Sequence, residues 1–87
     1  MSRAVVFEPD AWEDFNDWLG QDIKIAKRIC TLLKDTKRNP FEGIGKPEPL
    51  KHNYSGYWSR RIDKVNRLVC KVADDAIVVI SCKNHYD

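Results

Sequence analysis

Between Asn39 and Leu50 the chain carries Pro40, Gly43, Gly45, Pro47 and Pro49, a density of breakers that no helix or strand interior accommodates. This irregular stretch separates a half with helical periodicity from a half that alternates as strands do. Ahead of it, Arg3 to Phe7 is rich in β-branched and aromatic residues and reads as a short strand. Pro9 suits the first turn of a helix, with Asp10, Glu13 and Asp14 favourable near its positive end. Trp12, Phe15, Trp18 and Leu19 recur at helical spacing and form its expected apolar stripe, which Gly20 ends. Asp22 is the expected N-cap of a second helix running to about Lys37, buried through Ile25, Ala26, Ile29, Leu32 and Leu33.

Beyond the breakers, Leu50 to His52 is expected as a short strand, followed by a turn at Asn53 to Gly56. Tyr57 to Ile62, Arg67 to Ala73 and Ala76 to Lys83 then read as three strands with short connections, an antiparallel meander. The order predicts one α+β domain over residues 1–87, with an N-terminal strand and a two-helix hairpin packed on a mainly antiparallel twisted sheet. Alternation sends Leu68, Cys70 and Val72 toward the helices and Arg67, Val69 and Lys71 to the other face.

A 43% hydrophobic content supports one small core. No apolar run approaches the ~20 residues of a membrane span, and Ala4 to Phe7 is too short for a signal-peptide core, so the expected location is cytoplasmic with no membrane partner. Cys30, Cys70 and Cys82 are odd in number, form no CxxC pair and lie in apolar contexts. They are expected to be buried free thiols rather than disulfide partners or metal ligands.

Charge is distributed unevenly. Residues 1–22 carry one cation against six acids, a net of −5, and residues 23–71 carry thirteen cations against four acids, a net of +9. A strongly basic middle segment implies a polyanionic partner, nucleic acid first among them, or simply a solvated charged face. Within it, Glu48 lies between two prolines with Lys46, Lys51, His52, Arg60 and Arg61 nearby in sequence; Arg67 follows, and His85 stands near the C-terminus. An acid, a base and several cations are what metal-free phosphodiester cleavage requires. The same residues also describe an ordinary surface: Glu48 as a loop carboxylate, Arg61 and Arg67 as solubilising groups, His85 as an idle terminal residue. Trp12, Trp18 and Trp58 are expected in packing, whereas Tyr57 and Tyr86 are candidates for stacking on a base.

KPEPLKHN at 46–53, SGYWSRRI at 55–62, NRLVC at 66–70 and the closing NHY at 84–86 resemble YoeB-type toxins of the RelE/ParE superfamily, and DTKRNPFEGIGKPEPL keeps the family's order and spacing. The resemblance runs from Trp12 to Tyr86. It implies a RelE-like fold, related to microbial ribonucleases, and a cofactor-free, metal-independent endoribonuclease that cuts mRNA in the ribosomal A site and so blocks translation. It also implies a homodimer, a cognate antitoxin of the YefM/Phd-like kind, and the ribosome and mRNA as partners. Carried over residue by residue, Glu48 matches the general base, His85 the general acid and Arg67 the cation that stabilises the phosphorane. Lys51 and Arg61 match phosphate-holding cations and Tyr86 a terminal aromatic; Lys46 and Arg60 are added as substrate-binding candidates from their place in the motif. The chain departs from the family pattern at Asn66, at Lys83-Asn84 and in the additional Asp87. A non-catalytic relative of the ParE type, which inhibits DNA gyrase by binding, is the alternative.

RNA supplies its own nucleophile in the 2′-OH. A base removes that proton, an acid protonates the departing 5′ oxygen and cations stabilise the phosphorane. Lys46 and Lys51 flank Glu48 in sequence, and neighbouring cations favour a carboxylate's charged form, which weakens it as a proton acceptor. The free protein is therefore expected to be a poor ribonuclease that depends on the ribosome to hold mRNA in a near-attack geometry.

Overall fold

The computed structural model describes residues 3–51 and 56–83. The elements follow in the order β1 (Ala4–Phe7), α1 (Pro9–Gln21), α2 (Ile23–Arg38), β2 (Glu48–Pro49), β3 (Tyr57–Arg61), β4 (Arg67–Val72) and β5 (Ala76–Ser81). The sheet order is β1-β5-β4-β3-β2. Only the β1 pairing with β5 is parallel among the described strands; the pairs from β2 to β5 are antiparallel. The α+β architecture expected from the element order is what the chain adopts.

Local chemistry accounts for the helices. Pro9 opens α1, where its missing N–H costs nothing. The Asp22 side chain accepts the Lys24 backbone N–H at 3.2 Å, capping α2, while the Asp22 N–H closes α1 onto Trp18 O at 2.8 Å. Asp22, rather than Gly20, is thus the hinge between the two helices.

The face of α1 differs from the expected stripe. Ala11, Asp14 and Trp18 are buried, Phe15 is half-buried, and Trp12 is 53% exposed with Leu19 also outward. Core contact rotates the helix because Cys82, just past β5, offers polar partners to it: Asp14 Oδ2 accepts Cys82 N–H at 3.4 Å, and Trp18 Nε1 donates to Cys82 O at 2.9 Å. Trp12 instead joins Phe7 and Phe15 in an aromatic cluster with ring centroids 5.6–6.2 Å apart. In α2, Ala26, Ile29, Leu32 and Leu33 face inward as expected, joined by Asp35 and Thr36.

The core lies between the helices and one sheet face, with Ile29, Leu32, Leu68, Ile77, Val79 and Cys82 fully enclosed. Val69 is buried too but lies outside this cluster, on the opposite face, as alternation predicted. The short edge strand is Glu48–Pro49 rather than Leu50 to His52. Its register puts Glu48 opposite Ser59, and Leu50 N–H still bonds Tyr57 O at 2.9 Å beyond the strand's end. Pro49 is tolerated there because an edge strand needs one row of donors only. His52 and the first three residues of the turn expected at Asn53 to Gly56 lie outside the described residues, and Gly56 is a turn residue with φ 89.

Of the thiols, Cys70 and Cys82 are buried, and burial pushes each up to about 12. Cys30 is exposed, contrary to expectation, because it lies on the outer side of α2 between the buried Ile29 and Leu32 positions. Native protein treated with a thiol-reactive chromophore should release one equivalent rapidly, and the other two only on unfolding. Rapid reaction of all three would mean that the core opens readily.

Candidate active site

The open face of the sheet carries a cleft of about 200 Å³ lined by Leu50, Ser59, Val65, Arg67, Val69, Ser81 and Lys83. Three features of the fold build it. Glu48 on β2 stands opposite Ser59 on β3, and Ser59 stands opposite Val69 on β4. The turn before β4 is closed by Asp63, whose Oδ1 accepts the N–H groups of Val65 at 2.8 Å and Asn66 at 2.6 Å. Burial pushes the Asp63 carboxyl up, but the Asn66 and Val65 N–H groups and the Asn66 side chain outweigh it and hold it below the usual range. Arg67 is thereby set at the first position of β4.

Arg67 Nη1 donates to Glu48 Oε1 at 2.8 Å and reaches Ser59 Oγ at 3.4 Å. The ion pair is open to solvent, with the Arg67 and Glu48 side chains 42% and 56% exposed. Ser59 beneath it is fully buried. The floor of the cleft is therefore a small hydroxyl-bearing side chain beside Leu50, Val65 and Val69, and a carboxylate and a guanidinium share its rim. A carboxylate can take a proton there and the guanidinium can hold an anion, provided that a ligand draws the two apart.

The far wall is set by β5. The pairing of β4 with β5 shifts register between Val69 and Cys70, so Ile80 is the additional residue and Ser81 comes opposite Val69. Immediately beyond, Cys82 is tied to α1 through Asp14 and Trp18, and its Sγ reaches Ala11 O at 3.6 Å. Lys83 pairs with Asp17 at 3.6 Å and lies 5.2 Å from the Trp18 ring centroid. The chain thus arrives at the cleft on a fastened strand end, with Lys83 lining it two residues before His85 in sequence.

Of the expected site residues, Glu48 and Arg67 are brought together directly. The cation paired with Glu48 among the described residues is Arg67 rather than the sequence neighbours Lys46 and Lys51, both of which are exposed. Arg61 is exposed and opposite Arg67 in register, so it shares the open face. Arg60 is corrected. Its residue is 3% exposed, and its guanidinium binds Asp35 Oδ2 at 2.6 Å, Asn39 O at 2.6 Å, and Glu42 O and Ile44 O at 3.1 Å each. Strand alternation turns it to the helix side, away from Arg61, and both its Nη groups are committed to protein acceptors, so it is unavailable to a phosphate. His85 and Tyr86 lie outside the described residues. Ser59, Ser81 and Lys83 were not anticipated; the signal for Ser59 was its place two residues before Arg61 on one strand face.

The family model for the YoeB-like toxin of bacterial type II toxin-antitoxin systems matches residues 7–86. Toxin RelK of Mycobacterium tuberculosis is 54% identical over 84 residues, covering 97% of this chain and 99% of that protein. Toxin YoeB of Escherichia coli K12 is 50% identical over 82 residues, covering 94% and 98%. The YoeB dimer from Staphylococcus aureus has a TM-score of 0.90 at 48% identity, covering 97% of this chain and 98% of that one. The same identity and coverage hold for the heterotetrameric YoeB–YefM toxin–antitoxin complex of that organism, at a TM-score of 0.91. The chain belongs to the YoeB-like toxins of bacterial type II toxin–antitoxin systems.

Proposed function

We propose that this toxin is a ribosome-dependent, metal-independent endoribonuclease that cuts mRNA in the ribosomal A site. The observation that carries the reading is the Glu48–Arg67 pair at 2.8 Å on the rim of the open-face cleft. In this reading, Glu48 takes the 2′-OH proton, and Arg67 binds the non-bridging oxygens as the phosphorane forms. Attack by the 2′ oxygen on phosphorus forms a 2′,3′-cyclic phosphate and expels the 5′ oxygen, which takes a proton from His85. Arg61, Lys51 and Lys46 hold flanking phosphates, and Tyr86 packs on the nucleotide at the cut. DNA lacks the nucleophile and should not react.

The geometry also gives a physical reason for dependence on the ribosome. Arg67 holds Glu48 through a charge-assisted hydrogen bond, so the base is engaged with the group meant for the phosphate. A phosphate must replace the carboxylate on Arg67 before Glu48 is free. A ribosome that holds the mRNA bent in place supplies that exchange with little loss of substrate entropy.

By likeness to the Staphylococcus aureus YoeB dimer and YoeB–YefM complex, this chain is assigned a homodimer and a YefM/Phd-like antitoxin as partners. Exposed Trp12, Leu19 and Ile23 supply apolar surface for such contacts. Nothing in the cleft favours the gyrase-binding alternative. No helix among the described residues is long and apolar enough to cross a membrane.

The test is cleavage of mRNA on programmed ribosomes by wild type and His85→Ala. Wild type should cut at the A-site codon and leave a cyclic phosphate or its 3′-phosphate product, with no metal requirement beyond the ribosome's own. His85→Ala should lose the cut and keep its melting temperature. A folded wild type that makes no cut refutes the nuclease reading; an unfolded His85→Ala would assign that residue to structure instead.

A further inference from the structure

The residues ahead of Glu48 form no regular element, yet they must deliver its carboxylate to one place. Asn39 O, Glu42 O and Ile44 O converge on the Arg60 guanidinium, and Asp35 Oδ2 accepts both from Arg60 and from Ile44 N–H at 3.0 Å. A single buried fork thus gathers the loop's carbonyl oxygens, and one carboxylate of α2 fixes the fork. Backbone geometry shows how tightly the loop is drawn in. Gly45 has φ +80, and a Cβ there would stand 2.7 Å from Leu32 Cδ2 and 3.2 Å from Arg60 Cβ. At Gly43, φ +126, a Cβ would collide with the Asp35 carboxylate. Lys46 takes φ 51, a left-handed conformation that a residue with a side chain holds only when its surroundings impose it. Gly45 O accepts Arg61 N–H at 2.7 Å, which joins the loop's end to β3 immediately before β2 begins.

We propose that Arg60 is a positioning residue for the cleavage reaction: anchored by Asp35, its buried guanidinium holds the 39–45 loop so that Glu48 meets Arg67 and the RNA in the correct place. The inference deepens the ribonuclease reading above and rests on it for its kinetic consequence. Arg60 touches no substrate. It acts on the geometry of Glu48 alone, so its loss should slow the chemical step without weakening RNA binding. A phosphate-binding arginine would do the reverse.

Single-turnover cleavage on programmed ribosomes is measured for wild type, Arg60→Lys, Asp35→Asn and the double variant, at a temperature where near-ultraviolet circular dichroism shows each to be folded. Backbone hydrogen exchange over residues 46–50 is measured on the same proteins. Each single variant should lower the maximal rate by about tenfold or more, as a small misplacement of a reacting group can. The half-saturating toxin concentration and its salt slope should stay at the wild-type values. The double variant should be little slower than the slower single one, since both act through one loop, and exchange over 46–50 should quicken in all three. Arg60→Lys is the harsher change to the core, and Asp35→Asn, which is remote from any RNA, keeps the test open if it does not fold. A weaker half-saturation or salt slope in Arg60→Lys alone would make Arg60 an RNA contact and overturn the proposal. Wild-type rates and exchange in folded variants would overturn it equally. If wild type itself does not cut, the ribonuclease reading fails separately, and unchanged exchange over 46–50 would still refute the positioning of Glu48 by the clamp.

Discussion

Glu48→Gln should lower the rate of A-site cleavage by about 10²–10⁴-fold, the usual worth of a positioned general base. The amide keeps the shape of the carboxylate and still offers an oxygen to Arg67, so the change isolates proton transfer from packing. Stability should barely move, because the ion pair it weakens is more than 40% exposed on both sides and such pairs contribute only ~0–1 kcal/mol. Arg67→Ala should also reduce the rate, by about 10²–10³-fold if the guanidinium stabilises the phosphorane. The two readouts needed are the single-turnover rate on programmed ribosomes and a thermal melt of each variant. A Glu48→Gln protein that cuts at the wild-type rate would remove Glu48 as base and leave the ion pair as a surface contact.

Asp35→Ala should be the most destabilising single substitution outside the apolar core. It strands a guanidinium that is 3% exposed, and removing one partner of a buried pair costs about 3–5 kcal/mol. For a domain of this size each kcal/mol moves the melting temperature by roughly 4–8 °C, so the variant should melt roughly 12–40 °C below wild type. The same pair makes stability depend on acid. Arg60's hydrogen bond and the Ile44 N–H hold the Asp35 carboxyl below its ordinary value of 3.8 against the opposing effect of burial. A carboxyl that is depressed in the folded state contributes fully above its unfolded value, and the contribution is lost as pH falls through the folded one. Urea midpoints should therefore fall below about pH 4. Asp63, depressed in the same direction, contributes to the same acid limb and should leave a residual slope in Asp35→Asn. A wild-type midpoint that stays level from pH 5 to pH 2.5 would refute the linkage.

The sequence made the helices legible because their causes are local. Pro9 at an N-terminus, the Asp22 cap and the spacing of Ala26, Ile29 and Leu32 act within a turn or two of chain. The strands from Tyr57 to Ser81 were legible for the same reason, and alternation placed Arg67 and Val69 on the open face in advance. Rotation of α1 was not, since it depends on what the end of β5 presents: Trp12 carries the same indole N–H as Trp18, but it is Trp18 Nε1 that meets Cys82 O. Asp35 left a trace that is plain in hindsight, being the one acid in α2 and three residues from buried Leu32. Its partner was 25 residues away, beyond the reach of any periodicity.

Arg60 and Arg61 show where the boundary falls. Their identity, their adjacency in YWSRRI and their place on a strand belong to the sequence, which also determined the element order, the basic character of the middle segment and the membership of the family. Which of the two faces solvent was decided only by assembly of the sheet against α2. Successive side chains leave a strand in opposite directions, so one arginine of any such pair must turn inward, and its burial is tolerable only where a carboxylate and free carbonyl oxygens already wait. Asp35 and the 39–44 loop meet that condition on the helix side. Pairing of Glu48 with Arg67 has the same origin: 19 residues separate them in the chain, and the registers of β2 on β3 and β3 on β4 bring them to 2.8 Å.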